Sequence, residues 1–214
     1  MDLIDRFFFL MVKSQELSMT KLCAVYGSPR RKGNTSILLR KAIEGARDEG
    51  AEVREIVLRD LKISPCLEIY GCRDSGKCVI KDDFHDVIDY IMEAKGLMLA
   101  SPIFFYSLSA QAKMLIDRCQ SLWMKKYYIE KADRKNRAST RKGLFISLGA
   151  TRGKKLFDGP LLTVKYFFDV LDMDLHKSLL YRGIDHEGEI NDYPDHLEEA
   201  YQAGRELVKA VRSL

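Results

Sequence analysis

The chain has 214 residues, a formal net charge of +4, and 46% hydrophobic and 31% charged residues, the composition of one globular domain that can bury a core without disulfide staples. Its compact apolar run near the start, FFFLMV at residues 7–12, is too short to cross a bilayer and follows Asp2 and Asp5 where an export signal carries positive charge. Membrane span and secretion are therefore excluded from the expectation, and five cysteines without an export signal imply free thiols in a reducing, cytoplasmic setting.

Residues 1–18 precede a second methionine, Met19, and read as an N-terminal extension or a misassigned start; the domain pattern occupies residues 19–214. KLCAVYGS (21–28) predicts a first strand that ends at a glycine and a proline. A helix is predicted over 35–48 from Leu39, Ala42, Ile43 and Ala46, with Gly50 as its stop signal. AEVREIVL (51–58) predicts the second strand. A cysteine-bearing loop follows, then a helix from Asp83 that carries Phe84, Val87, Ile88 and Ile91 on one face. GLMLAS (96–101) is apolar throughout, as a buried parallel strand should be. Leu108, Ala112, Leu115, Ile116 and Cys119 mark the next helix. GLFISLG (143–149) and HKSLLYRG (176–183) complete the strands, with a helix over 159–171 between them and a last helix from Pro194.

Five strands alternating with helices imply a single α/β domain with a parallel sheet covered on both faces. Right-handed crossovers then favour the doubly wound order 2-1-3-4-5. In such sheets ligands bind beyond the carboxyl ends of the strands where the order reverses, here the loops after strands 1, 3 and 4.

The first of these loops, GSPRRKGNTS (27–36), has what a phosphate requires. Gly33 permits a sharp turn, Asn34, Thr35 and Ser36 offer donors at a helix start, and Arg30 offers a forked cation. It is neither a Walker loop nor G-x-G-x-x-G. The second, SPIFFYSLSAQ (101–111), sets Phe104, Phe105 and Tyr106 in a row after Pro102, a wall suited to a flat conjugated ring. The third, LGATRGKK (148–155), offers small residues and exposed N–H groups.

GSPRRKGNTS, SPIFFYSLSAQAKMLIDR and the CVIKDDF after the cysteines resemble, in order and spacing, the NADPH-dependent FMN reductase and iron–sulfur flavoprotein group of flavodoxin-like proteins, from about Lys21 onward. The resemblance implies a flavodoxin-like fold and bound FMN. It implies that Ser28, Arg30, Asn34, Thr35 and Ser36 hold the FMN phosphate and that Pro102, Ile103, Phe104 and Phe105 line the isoalloxazine ring. Gly149, Ala150, Thr151 and Arg152 are then expected to close over the other side. Phe104 stands where tyrosine is usual in the group. It further implies an enzyme, an NAD(P)H-dependent, FMN-containing oxidoreductase that moves hydride from a nicotinamide to the flavin and electrons on to an acceptor, often as a homo-oligomer. No side-chain acid or base is obligatory in such chemistry, so no catalytic residue is assigned.

Cys66, Cys72 and Cys78 fit three of the four cysteine positions of the group's iron–sulfur members, and Ile69 occupies the remaining one. Four thiolates are the usual shell of a [4Fe–4S] cluster, so no metal is assigned; a cluster on these three cysteines is the alternative reading, which makes the protein an electron carrier. Cys23 and Cys119 read as small buried hydrophobes. A third reading takes the stretch from Lys125 to Lys142, with eight Lys or Arg against Glu130 and Asp133, as a nucleic-acid contact. It ranks below the first two, because a charge run between elements is ordinarily a solvated loop.

Overall fold

The structure, a computed structural model, describes residues 19–133 and 139–213. The extension expected at residues 1–18 and the middle of the basic stretch lie outside the described residues. Five strands, β1 (Thr20–Tyr26), β2 (Ala51–Val57), β3 (Gly96–Pro102), β4 (Arg141–Gly149) and β5 (Met173–Arg182), form one sheet in the order β2-β1-β3-β4-β5. Every pairing is parallel. The expected topology is the observed one.

Five helices cover the sheet: α1 (Asn34–Asp48), α2 (Phe84–Glu93), α3 (Ala110–Arg118), α4 (Asp158–Val170) and α5 (Pro194–Arg212). Alternation along each strand divides its apolar residues between two cores. Leu22, Ala24, Met98, Leu144 and Ile146 pack under α1 and α5, while Cys23, Val25, Leu97, Leu99 and Phe145 pack under α2, α3 and α4. α1 and α5 approach closely because Gly45 lies against the Tyr201 carbonyl and Gly204 against the Ala42 carbonyl, where a Cβ would overlap backbone.

Two expectations are corrected. The helix marked by Leu108 starts later, at Ala110, because Ser109 caps it by accepting the Ala112 N–H through its hydroxyl; Leu108 is buried in the approach to it. The start of the basic stretch is not a plain loop. The chain runs on through a helical turn (Gln120–Trp123) into a π-helical segment (Met124–Ile129). Of its cations, Lys126 pairs with Asp172 at 2.6 Å, Lys142 pairs with Asp174 at 3.2 Å, and Arg141 donates to the carbonyls of Ile91, Ala94 and Leu171. These contacts hold helix ends to the sheet and leave fewer charges for a nucleic acid. Among the described residues no helix is long and apolar enough to cross a membrane.

Candidate functional site

At the carboxyl edge of the sheet, β1 delivers the chain into its first loop beside β3. The Gly27 N–H donates to Ala100 O at 2.7 Å, and a Cβ there would stand 2.8 Å from that oxygen. The approach is open to glycine alone. Gly33 then precedes α1 without a side-chain cap, and its carbonyl takes the N–H groups of Ser36 and Ile37 at 2.9 and 3.1 Å. The N–H groups of Asn34 and Thr35, the first two of the helix, have no acceptor among the described residues. They sit at the positive end of the helix dipole, an arrangement suited to an anion.

Of the side chains expected to hold a phosphate, Ser28 accepts the Arg30 N–H at 3.1 Å and shapes the turn. Ser36 donates to Arg30 O and braces the loop from beneath. Thr35 is buried against the cleft with no hydrogen-bond partner for its hydroxyl among the described residues. Arg30 is exposed and likewise unpaired. Asn34 is spent elsewhere: its amide donates to His186 O at 2.8 Å and accepts the Ile190 N–H at 3.3 Å. Through it the loop after β5 is pinned over the helix start.

Three buried serines weld the loops together. Ser101 Oγ accepts the Ser109 N–H at 3.0 Å, Ser109 Oγ donates to Gly27 O, and Ser147 Oγ donates to Ser101 O at 2.7 Å. The Ile103 N–H reaches Leu148 O at 3.0 Å. The result is a cleft of about 130 Å³ lined by Ser28, Arg30, Thr35, Ile103, Phe104 and Ala150, among others. Asn34, Pro102 and Gly149 also face it, as do two residues the sequence did not suggest, Ile184 and Asp185. Their loop follows β5, outside the switch point; the signal that could have found it is Gly183, which has a φ of +75° and donates its N–H to Gly149 O. Phe105, Thr151 and Arg152 are not in the lining.

A second concavity, about 450 Å³, brings Cys66, Cys72 and Cys78 to one wall together with Leu67, Ile69 and Met124. Burial raises the Cys72 thiol above its ordinary value, and the neighbouring Cys78 and Cys66 push the same way. One residue of α3 holds this loop. Arg118 is fully buried and sends its guanidinium N–H groups to Cys78 Sγ (3.2 Å), Ser64 O (3.0 Å), Ile80 O (3.0 Å) and both oxygens of Asp82 (2.7 and 3.1 Å). Burial, the largest single influence, would raise the Asp82 carboxyl; the Arg118 bonds and charge together with the Ser64 and Phe84 N–H groups outweigh it and hold Asp82 below the usual carboxylate range. Among the described residues no three His, Cys, Asp or Glu side chains are gathered closely enough to hold a metal ion. Cys23 and Cys119 lie in the core, where burial pushes the Cys23 thiol up to about 12 and Cys119 upward as well.

The family profile described as NADPH-dependent FMN reductase matches residues 20–156. An iron–sulfur flavoprotein of Methanocaldococcus jannaschii is 41% identical over 102 residues, 48% of this chain and 53% of that protein. An iron–sulfur flavoprotein of Methanosarcina thermophila is 30% identical over 132 residues, 62% of this chain and 64% of that protein. The chain thus spans between about half and two thirds of the length of these relatives. Among solved structures, an NAD(P)H:quinone oxidoreductase from Methanothermobacter marburgensis superposes with a TM-score of 0.66 at 17% identity, covering 89% of this chain and 96% of that one. That likeness establishes the fold.

Proposed function

The chain belongs to the NADPH-dependent FMN reductase family, and from that premise we propose that it is an FMN-dependent NAD(P)H oxidoreductase delivering electrons to an acceptor. The observation that carries the reading is the unpaired anion-binding start of α1 opening onto the same cleft as Ile103, Phe104 and Ala150. FMN, when bound, supplies a ring that accepts hydride from the nicotinamide.

The residues present suit that group. The Asn34 and Thr35 N–H groups and the Thr35 hydroxyl would donate to the phosphate, and the exposed Arg30 would reach it from the solvent side. Gly27 and Gly33 keep Cβ atoms out of the turn, where a Cβ on Gly33 would stand 2.8 Å from Ser28 Oγ. Ile103, Phe104, Gly149 and Ala150 all line the cleft and would contact the ring. The enclosed volume of about 130 Å³ falls below the roughly 300 Å³ at which ligand pockets usually begin. A ring bound there would extend into the open mouth, within reach of a nicotinamide. The lining contains one carboxylate, Asp185, and no histidine or cysteine.

The test is an absorption spectrum of anaerobically purified protein, before and after added FMN, followed by NADPH. Flavin bands that bleach with NADPH are expected. A colourless protein that takes up no FMN sinks the proposal.

A second reading, an electron carrier with an iron–sulfur cluster, draws support from the shared cavity of the three cysteines and from the names of the two relatives. A four-thiolate cluster does not fit this donor set. Ile69 stands at the remaining ligand position with its side chain exposed, and the three thiols are not drawn to ligand spacing. Iron and sulfide counts on the same sample decide it.

A further inference from the structure

The hairpin after β3 carries a feature that the flavin cleft does not use. Phe104 and Ser107 exchange both backbone hydrogen bonds, at 3.0 and 2.9 Å, so Phe105 and Tyr106 are the two residues of the turn between them. Both have positive φ, +49° and +59°, where such turns ordinarily place Asn or Gly and where a bulky side chain is an outlier. The Phe105 ring is fully exposed, at 102%, and Tyr106 is half-exposed. A strained backbone that holds an aromatic ring wholly in water, beside a cofactor cleft, is the kind of outlier that marks a ligand clamp.

Immediately beside it lies a group of cations. Arg152, Lys154 and Lys155 are exposed and have no carboxylate partner among the described residues. Arg182 shapes their loop by donating to Gly153 O and Lys154 O, both at 3.3 Å. The hairpin leans on this loop: a Cβ on Gly153 would stand 3.0 Å from Tyr106 Oη, and one on Gly159 3.0 Å from Tyr106 O. The Arg152 guanidinium lies over Gly183, with Nη2 2.7 Å from where a Cβ would be. The next residue, Ile184, lines the cleft. Tyr106 thus links the aromatic tip to the cation-bearing loop, and Arg152 links that loop to the chain beside the cleft.

A π face in water next to unpaired guanidinium and ammonium groups recognises a stacked base that carries a phosphate. A nicotinamide nucleotide whose nicotinamide enters the mouth must lay its adenosine half outside the cleft. We infer that Phe105 and Tyr106, with Arg152 and Lys154, form the docking site for the adenosine 2′-phosphate half of NADPH and set the preference for NADPH over NADH. The inference rests on the reductase reading and adds to it a second site, assigned to named residues.

The test titrates adenosine 2′,5′-bisphosphate and 5′-AMP into the full chain by calorimetry, with and without FMN. The bisphosphate is expected to bind at least about tenfold more tightly than 5′-AMP. Phe105→Ala weakens both nucleotides by about tenfold, the scale of one lost base–aromatic stack. Arg152→Gln abolishes the difference between them and lowers the NADPH to NADH ratio of kcat/KM. Equal affinity for the two nucleotides, no binding of either, or variants that bind like the parent chain overturns the inference. Because the probes need no flavin, bisphosphate binding by a chain that refuses FMN breaks the reductase reading and leaves the docking site standing. Turnover of NADPH without discrimination between the nucleotides breaks the docking site alone.

Discussion

Two loops leave the same edge of the sheet and are held in opposite ways. In residues 27–36 the backbone does the holding: Gly27 N–H to Ala100 O, Gly33 N–H to Arg30 O, and the Ser36 and Ile37 N–H groups to Gly33 O. The cysteine loop, residues 64–82, has little regular pairing of its own beyond Arg73 N–H to Tyr70 O and Gly76 N–H to Cys72 O. Its two ends and Cys78 are gathered by a side chain from α3, Arg118. A loop made of backbone bonds is intolerant of an added Cβ at its close approaches and tolerant elsewhere. A loop hung on one guanidinium fails at that residue, which lies outside its own sequence.

The largest expected effect follows from removing the guanidinium. Arg118→Met leaves the Asp82 carboxylate, with a side-chain exposure of 9%, without its buried partner, and breaking such pairs typically costs about 3–5 kcal/mol. Urea unfolding should show a loss of that size, and limited proteolysis should cut within residues 64–82. Arg118→Lys restores charge without the fork and should recover only part of the loss. A loss below about 1 kcal/mol, the range of an exposed pair, would mean that the loop holds itself and would erase the contrast.

The next effect comes from the backbone-held loop. The Cβ introduced by Gly27→Ala would stand 2.8 Å from Ala100 O and 3.1 Å from Ala112 Cβ, atoms of a strand and a helix that cannot swing aside. Overpacking of this kind costs about 1–3 kcal/mol. The same shift would displace the helix start, so FMN uptake should fall in proportion. Parent-like stability together with parent-like uptake would show that the loop has slack and that the glycine is incidental.

The contrast also explains what could be read in advance. Strand order was legible because GLMLAS and GLFISLG are too apolar for anything but central parallel strands, and the switch in order points to the loops beside them. The turn at Gly33 was legible because the glycine, the donors and the helix start are adjacent in sequence. The clamp was not: Arg118 acts on residues 36 to 54 positions away, and an arginine at a helix end ordinarily faces solvent. The Asn34 amide likewise seeks its partners 152 and 156 positions away, so its residue type suggested a phosphate donor while its side chain serves as a tie. Phe104, Phe105 and Tyr106 were read as a wall because composition does not record φ. Two of the three, Phe105 and Tyr106, sit at a turn and are absent from the cleft lining.

The smallest effect is a dependence on pH, and it tests whether the clamp is ionic. Burial is the largest single influence on Asp82 and would raise its pKa. The Arg118 bonds and charge, together with the Ser64 and Phe84 N–H groups, outweigh it and hold Asp82 below its ordinary value in the folded chain. Its contribution is therefore fully present above the unfolded carboxyl value of about 3.9 and drains away as pH falls through the lower folded value. Asp82→Asn removes this titration and keeps one oxygen, enough for either the Ser64 N–H, which Oδ2 accepts at 2.8 Å, or the Phe84 N–H, which Oδ1 accepts at 3.1 Å. Denaturant midpoints of the two chains should differ by a constant amount from about pH 7 to about pH 5 and converge only below about pH 4. The other carboxylates held low, Glu49 and Glu189, titrate alike in both chains and cancel in the difference. A gap that narrows between about pH 7 and about pH 5 would require a raised Asp82 pKa, and the buried pair would then be a neutral hydrogen bond instead of an ionic clamp.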